Sequence, residues 1–264
     1  MMISGDIGRQ IAEELKRIEQ DENVKILYAC ESGSRAWGFP STDSDYDVRF
    51  IYIRSQADYL SVFDKRDVIE RPISNDLDIN GWDLKKALKL MSKSNPSLLE
   101  WLQSPIVYKE EPSITGNIRE LSKSAFSPRA CLYHYMHMAK GNFRMYLQGD
   151  QVKIKKYFYV LRPVLACEWM ERFNKMPPME FEVLVDTLLP ESSPVRKEVR
   201  HLLDRKKSGE EMDEEPKIFA IHEYLEDRLA ALERAASGFE ASGQIGSEAL
   251  DDLFRSALRE SGSS

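Results

Sequence analysis

Apolar positions follow two regimes along the chain: up to about residue 113 their period keeps changing, and beyond it the helical period dominates. Ile7, Ile11, Leu15 and Ile18 recur at three- and four-residue intervals and predict a helix from about residue 4 to 20. "VKILYAC" (Val24–Cys30) alternates as a strand does. "DVRFIYI" (Asp47–Ile53), dense in β-branched and aromatic residues, predicts a second strand. "DLDINGW" (Asp76–Trp82) reads as a third, shorter strand running into the helix "DLKKALKLMSKS", whose leading Asp83 suits a helix N-terminus. Asn95 is placed to cap a further helix in "NPSLLEWLQSP". After about Ser113 the pattern predicts helices only, in "NIRELSKSAF", "ACLYHYMHMAKGNFRMYL", "KKYFYVLRPVLACEWMERF" and "KIFAIHEYLEDRLAALERAA", with one short helix in the proline-punctuated stretch from Leu188 to Pro216. The expected organisation is therefore an α/β (α+β) domain over residues 1–113, a helical domain over 114–235, and a flexible Gly/Ser-rich tail over 236–264.

Composition narrows the class. A chain of 264 residues, 42% hydrophobic and 31% charged, can bury a core of one or two domains. No apolar run reaches the length of a membrane span, and the opening "MMISGDIGRQ" has no signal-peptide pattern, so a cytoplasmic protein without membrane partners is expected. The cysteines, Cys30, Cys131 and Cys167, are odd in number and set among apolar neighbours, which predicts buried thiols. A net charge of −7 argues against a general polyanion-coating surface and leaves only a local one. That local surface lies between Lys140 and Arg162, where Lys140, Arg144, Lys153, Lys155, Lys156 and Arg162 face a single acid, Asp150. Tyr157 and Tyr159 interleave with these cations and could stack bases of a bound RNA, while a solvated helix face accounts for the same pattern equally well.

The chemistry concentrates in "GSRAWGFPSTDSDYD", Gly33–Asp47. In a strand, side chains two apart project to the same face about 6.5 to 7 Å from each other, so Asp45 and Asp47 would repel unless something positive lay between them. Oxygen-only donors suit Mg²⁺ or Mn²⁺. Asp43, Asp45 and Asp47 also match the first three ligand positions of an EF-hand loop, but Val48 and Arg54 stand where that loop needs glycine and glutamate. Gly33 and Ser34 follow the end of a predicted strand, where a glycine lets backbone approach a phosphate, and Arg35 adds charge. A phosphate seat beside a metal-binding acid pair suits a nucleoside triphosphate held as its metal complex.

Taken together, "GSRAWG" and "DSDYDVRFIYI" resemble the signature of the DNA polymerase β-type nucleotidyltransferase superfamily. The run "DINGWDLKKALKLMSKSNPSLLEWLQSPIVY" is similar to a bacterial branch linked with RNA repair pathways. The likeness covers Cys30–Tyr108 and reaches the helical part only through "KKYFYVLRPVLACEW". It implies a polymerase β-like core followed by an all-helical domain, and metal-dependent transfer of a nucleoside monophosphate from an NTP to a hydroxyl, an RNA end being one acceptor. Gly33 and Ser34 match the family's turn and Asp45 and Asp47 its strand pair. A third carboxylate is expected from a neighbouring strand: Asp78 stands first, ahead of Asp83 and Asp76. Transfer to a protein or small molecule, or a non-catalytic nucleotide-binding or antitoxin-like module, are the alternatives.

Overall fold

The computed structural model describes residues 5–73, 76–235, 238 and 245–262. In chain order the elements are α1 (Gly5–Glu22), β1 (Lys25–Glu31), a single turn α2 (Gly33–Ala36), β2 (Tyr46–Ile53), α3 (Gln56–Tyr59), β3 (Val68–Glu70), β4 (Leu77–Asp83), α4 (Leu84–Met91), α5 (Pro96–Gln103), β5 (Val107–Glu110) and α6 (Pro112–Ala125). There follow α7 (Pro128–Tyr146), β6 (Gln151–Lys153), a 3-10 turn (Ile154–Lys156), α8 (Tyr157–Phe173), α9 (Phe181–Leu188), α10 (Pro194–Lys207), β7 (Glu214–Pro216), α11 (Phe219–Ala235) and α12 (Ser247–Glu260). The chain divides into two units, neither contiguous in sequence.

The first unit holds the described residues up to Ala36, Asp45–Ala125 and α12 around a five-stranded mixed sheet in the order β3-β4-β2-β1-β5. β2 runs parallel to β4 and antiparallel to β1, so β1 ends where β2 and β4 begin. Alternation along each strand divides the core between the two faces. Val48, Phe50, Tyr52 and Ile79 bury against Ile11, Leu15 and Ile18 of α1. Leu27, Ile51 and Ile53 bury with α4, α5, α6 and α12, through Leu88, Met91, Leu98, Trp101, Ile114, Ile118, Leu253 and Ala257. Asn95 caps α5 by accepting from Leu98 N–H at 3.2 Å, as its sequence position predicts.

The second unit holds Trp37–Ser44 together with the chain from Phe126 to the end of α11. Its helices surround α8, whose Tyr157, Phe158, Leu161, Val164 and Leu165 are buried. Residues 37–44, which leave the Gly-Ser turn and return as β2, belong here because their aromatics pack here: buried Phe39 stacks on Phe158 at 4.9 Å and meets Phe181 edge-on at 5.3 Å, and half-buried Trp37 accepts at its carbonyl from Phe181 N–H.

Three expectations need correcting. A boundary at residue 113 falls inside α6, whose Ile114 and Ile118 are part of the first unit's core. The region expected to hold helices only contains a two-stranded ribbon, β6 with β7. Within the expected tail, Ser247–Glu260 is a helix with Leu253 and Ala257 buried, while residues 236, 237, 239–244, 263 and 264 lie outside the described residues. All three cysteines are buried and free. Among the described residues no helix is long and apolar enough to cross a membrane.

Candidate active site

β1 ends at Glu31 and the chain turns at once through Gly33, which sits at φ +59°, a region where a side chain is strained. A Cβ there would lie 2.0 Å from Asp47 Oδ2, so only glycine leaves room for the carboxylate. The same turn fixes Asp47 from behind. Ser32 N–H donates to Asp47 O at 2.8 Å, and Asp47 N–H donates to Glu31 Oε1 at 2.9 Å. Glu31 is fully buried, with Tyr108 hydroxyl donating to its other oxygen. Burial pushes its carboxyl up to about 7 against the lowering effect of those two hydrogen bonds. Sequence reading passes over Glu31, because a glutamate ending a strand looks like a solvated one.

Parallel pairing of β2 with β4 sets Asp47 directly beside Asp78. Between the two carboxylates lies Arg49, two residues along β2 and on the same face. Its Nη2 donates to Asp47 Oδ1 at 3.0 Å and to Asp78 Oδ2 at 2.7 Å, while Nη1 donates to Asp78 O and Val48 O. Burial raises the Asp47 carboxyl, the Arg49 charge opposes this, and Asp78 and Asp45 push it further up. Asp45 stands just ahead of β2, exposed. Arg35 Nε donates to Asp45 O at 3.3 Å, and its guanidinium lies 3.7 Å from the centre of the Tyr46 ring. Ser34 and Arg35 occupy the single turn α2 beside these acids in sequence and structure.

Among the described residues no three His, Cys, Asp or Glu side chains stand grouped as a metal cage, so Asp45 is not gathered with Asp47 and Asp78. The donor pair nevertheless fits a hard cation: two carboxylates on neighbouring strands already share one positive group, the Arg49 guanidinium.

Asp83, the second choice for the third acid, is at the far end of β4, five residues from Asp78, or about 17 Å along an extended strand. It is 4% exposed and caps α4, accepting from Lys85 N–H at 2.7 Å and Tyr59 hydroxyl at 2.9 Å. That work is structural. Asp76 is exposed, and its carbonyl accepts from Tyr46 N–H.

The basic patch lies in the second unit and is smaller than its sequence predicts. Arg162 is buried with its guanidinium over the Trp37 ring, and Lys140 pairs with Glu233, so neither is offered to a partner. Lys153 and Lys155 are exposed; Lys156 Nζ sits 4.6 Å from the centre of the Tyr146 ring and 4.5 Å from that of Tyr159. Burial and the neighbouring charges of Lys155 and Lys153 lower its pKa. Tyr159 is exposed, as stacking requires, but Tyr157 is buried with its hydroxyl accepting from Ile218 N–H, so it cannot receive a base. The structure adds Lys206, which sequence spacing does not single out. Its neighbours Arg205 and Lys207 are paired with Glu210, Glu215 and Glu182, whereas Lys206 turns to Ser41 Oγ at 3.5 Å, within electrostatic reach of Asp43 and Lys155.

A family model described as RNA repair pathway DNA polymerase beta family matches residues 7–256. Over 252 residues the chain is 50% identical to an uncharacterized protein, YcgL, of Bacillus subtilis strain 168, with 96% of each chain covered. Among solved structures it is similar to a nucleotidyltransferase-like protein from Exiguobacterium sibiricum 255-15, at 10% identity over 93% of this chain and 78% of that one, with a TM-score of 0.30.

Proposed function

Because the chain belongs to the RNA repair pathway DNA polymerase beta family, we propose that it transfers a nucleoside monophosphate from an NTP to a hydroxyl, the acceptor being an RNA end. One observation carries the reading: the glycine of the Gly-Ser turn is packed directly against Asp47, which stands in register with Asp78. A turn and an acid pair that are separate motifs in the sequence make one surface, as a triphosphate bound with its metal requires.

In this reading Asp47 and Asp78 hold Mg²⁺ or Mn²⁺, and Asp45, exposed just ahead of β2, adds negative charge near the ion without joining the pair. Such an ion, when bound, neutralises phosphate charge and favours ionisation of the attacking hydroxyl. The chain's own groups do the positioning. Gly33 and Ser34 offer backbone N–H groups to phosphate oxygens, and Arg35 supplies charge from the same turn. Glu31 and Ser32 keep Asp47 in place through its backbone. The acceptor oxygen bonds to the α-phosphorus as the bond to the leaving pyrophosphate breaks, and the hydroxyl proton passes to solvent or to an acid of the site. Lys153, Lys155, Lys156 and Lys206 supply cations for the phosphates of an RNA acceptor, with Tyr159 exposed for stacking.

The test is incubation with each NTP labelled at the α-phosphate, a divalent ion, and separate RNA, protein and metabolite fractions. Label should enter RNA and fall at least about 100-fold in Asp47→Asn. Replacing Lys153, Lys155 and Lys156 by Ala should flatten the salt dependence of transfer, by roughly 0.7 logarithmic units for each RNA phosphate deprived of its cation. Label in protein or metabolite alone would remove RNA from the reading. No label in any fraction would remove transfer itself.

A further inference from the structure

Arg49 holds one oxygen of each acid in the proposed metal pair. Its Nη2 is shared between Asp47 Oδ1 and Asp78 Oδ2, and Nη1 donates to the carbonyls of Val48 and Asp78, so one guanidinium bridges the two carboxylates. The side chain is 17% exposed, against 27% for Asp47 and 34% for Asp78, so all three keep some contact with solvent. Two carboxylates side by side on strands about 4.8 Å apart repel strongly in a partly buried setting, and an arginine fork relieves that repulsion where nothing else does. An oxygen that accepts a guanidinium N–H is a poorer ligand for a divalent ion, and two cations pressed onto the same pair repel each other.

We propose that Arg49 is the resident counter-ion of the acid pair and that a divalent ion enters by exchange with its guanidinium. This rests on the reading of Asp47 and Asp78 as metal ligands. Arg49 is thus a positioning residue: it keeps the two acids together in the metal-free protein and sets, by competition, how tightly metal binds.

The test is Mn²⁺ binding to the full chain without nucleotide, followed by the electron paramagnetic resonance of free Mn²⁺ at fixed ionic strength, in wild type, Arg49→Met, Arg49→Lys and Asp47→Asn. Removing the competitor should tighten Mn²⁺ binding by about tenfold or more in Arg49→Met. Arg49→Lys keeps the charge, but its ammonium cannot span both carboxylates and both carbonyls, so it too should bind Mn²⁺ more tightly than wild type, by several-fold. In EDTA both variants should unfold at lower temperature than wild type, and Mn²⁺ should recover more of that loss than it adds to wild type. Arg49→Lys equal to wild type would mean that charge alone acts at a distance, and exchange would be wrong. Weaker binding in either variant would also overturn it, by showing that Arg49 prepares the acids for the ion. Should Arg49→Met not fold, Arg49→Lys decides the matter alone. Unaltered Mn²⁺ binding in Asp47→Asn would remove the metal site itself and this proposal with it, whereas binding lost in Asp47→Asn but unchanged in Arg49→Lys would remove only the exchange.

Discussion

Glu31 reaches nothing outside the protein, yet its carboxylate decides where Asp47 stands, and its titration can be read in stability. Its folded-state value, about 7, lies above its ordinary 4.5, so the folded chain holds this proton more tightly than the unfolded chain. The stability it contributes is full below about pH 4.5 and is lost as pH rises through about 7. At 1.36 kcal/mol per pH unit that amounts to about 3 kcal/mol. Glu31→Gln keeps both hydrogen bonds, the amide oxygen accepting from Asp47 N–H and the amide nitrogen donating to Tyr108, but carries no charge to desolvate. In metal-free buffer the variant and wild type should unfold at similar temperatures near pH 5, and the variant should be the more stable at pH 8; parallel curves would mean that Glu31 ionises freely. Spacing alone singles out Gly33, Asp45 and Asp47, because a turn glycine and alternating acids are local patterns, whereas Asp78 enters only as the third carboxylate that the family resemblance implies. Glu31 and Arg49 are illegible for one reason. Each is a charged residue in a strand, which local pattern assigns to solvent, and each gains a decisive partner, Asp47 and Tyr108 for Glu31 and Asp78 for Arg49, only when a strand distant in sequence comes alongside.

At the scale of an element, β4 carries an acid at each end with a different task. Asp78→Asn should cost about 100-fold in transfer and change stability by no more than about 1 kcal/mol, since Arg49 retains Asp47. Asp83→Asn should do the reverse, costing about 1 to 3 kcal/mol through a weakened α4 cap and a disturbed buried bond to Tyr59, with transfer per folded molecule unchanged. Urea unfolding measured beside turnover separates the two, and a dead but stable Asp83→Asn would reverse the assignment. Elements long enough to show a period are legible: α1, β1, β2 and β4 fall within two residues of where their patterns predict, and α4 starts within one residue and ends three residues early, at Met91. β3, β6 and β7 are three residues each and β5 is four, too short for alternation to stand out from chance, and they form through pairing with other segments.

At the scale of the whole molecule, α12 shows how composition can outvote periodicity. Gly and Ser around residues 236–264 point to a tail, while Leu250, Leu253, Phe254, Ala257 and Leu258 have the spacing of a buried helix face and take that role against the core of the first unit. Phe254 meets Tyr59 edge-on at 4.9 Å. Removing residues 245–264 should therefore cost about 3 to 5 kcal/mol, given 1.5 to 3 for each fully buried apolar side chain, and should expose a surface that binds a hydrophobic dye. Unchanged urea unfolding would show that the helix contributes nothing. Synthesis on the ribosome meets the same feature as a matter of timing. The strands of the sheet emerge early and can pair, but the strip left along α4 and α6 stays uncovered until α12, last of the described elements, leaves the exit tunnel. Through that interval the nascent chain is a client for chaperones, and translation stalled before α12 yields a product that quality control can distinguish from a finished one by its bare apolar strip.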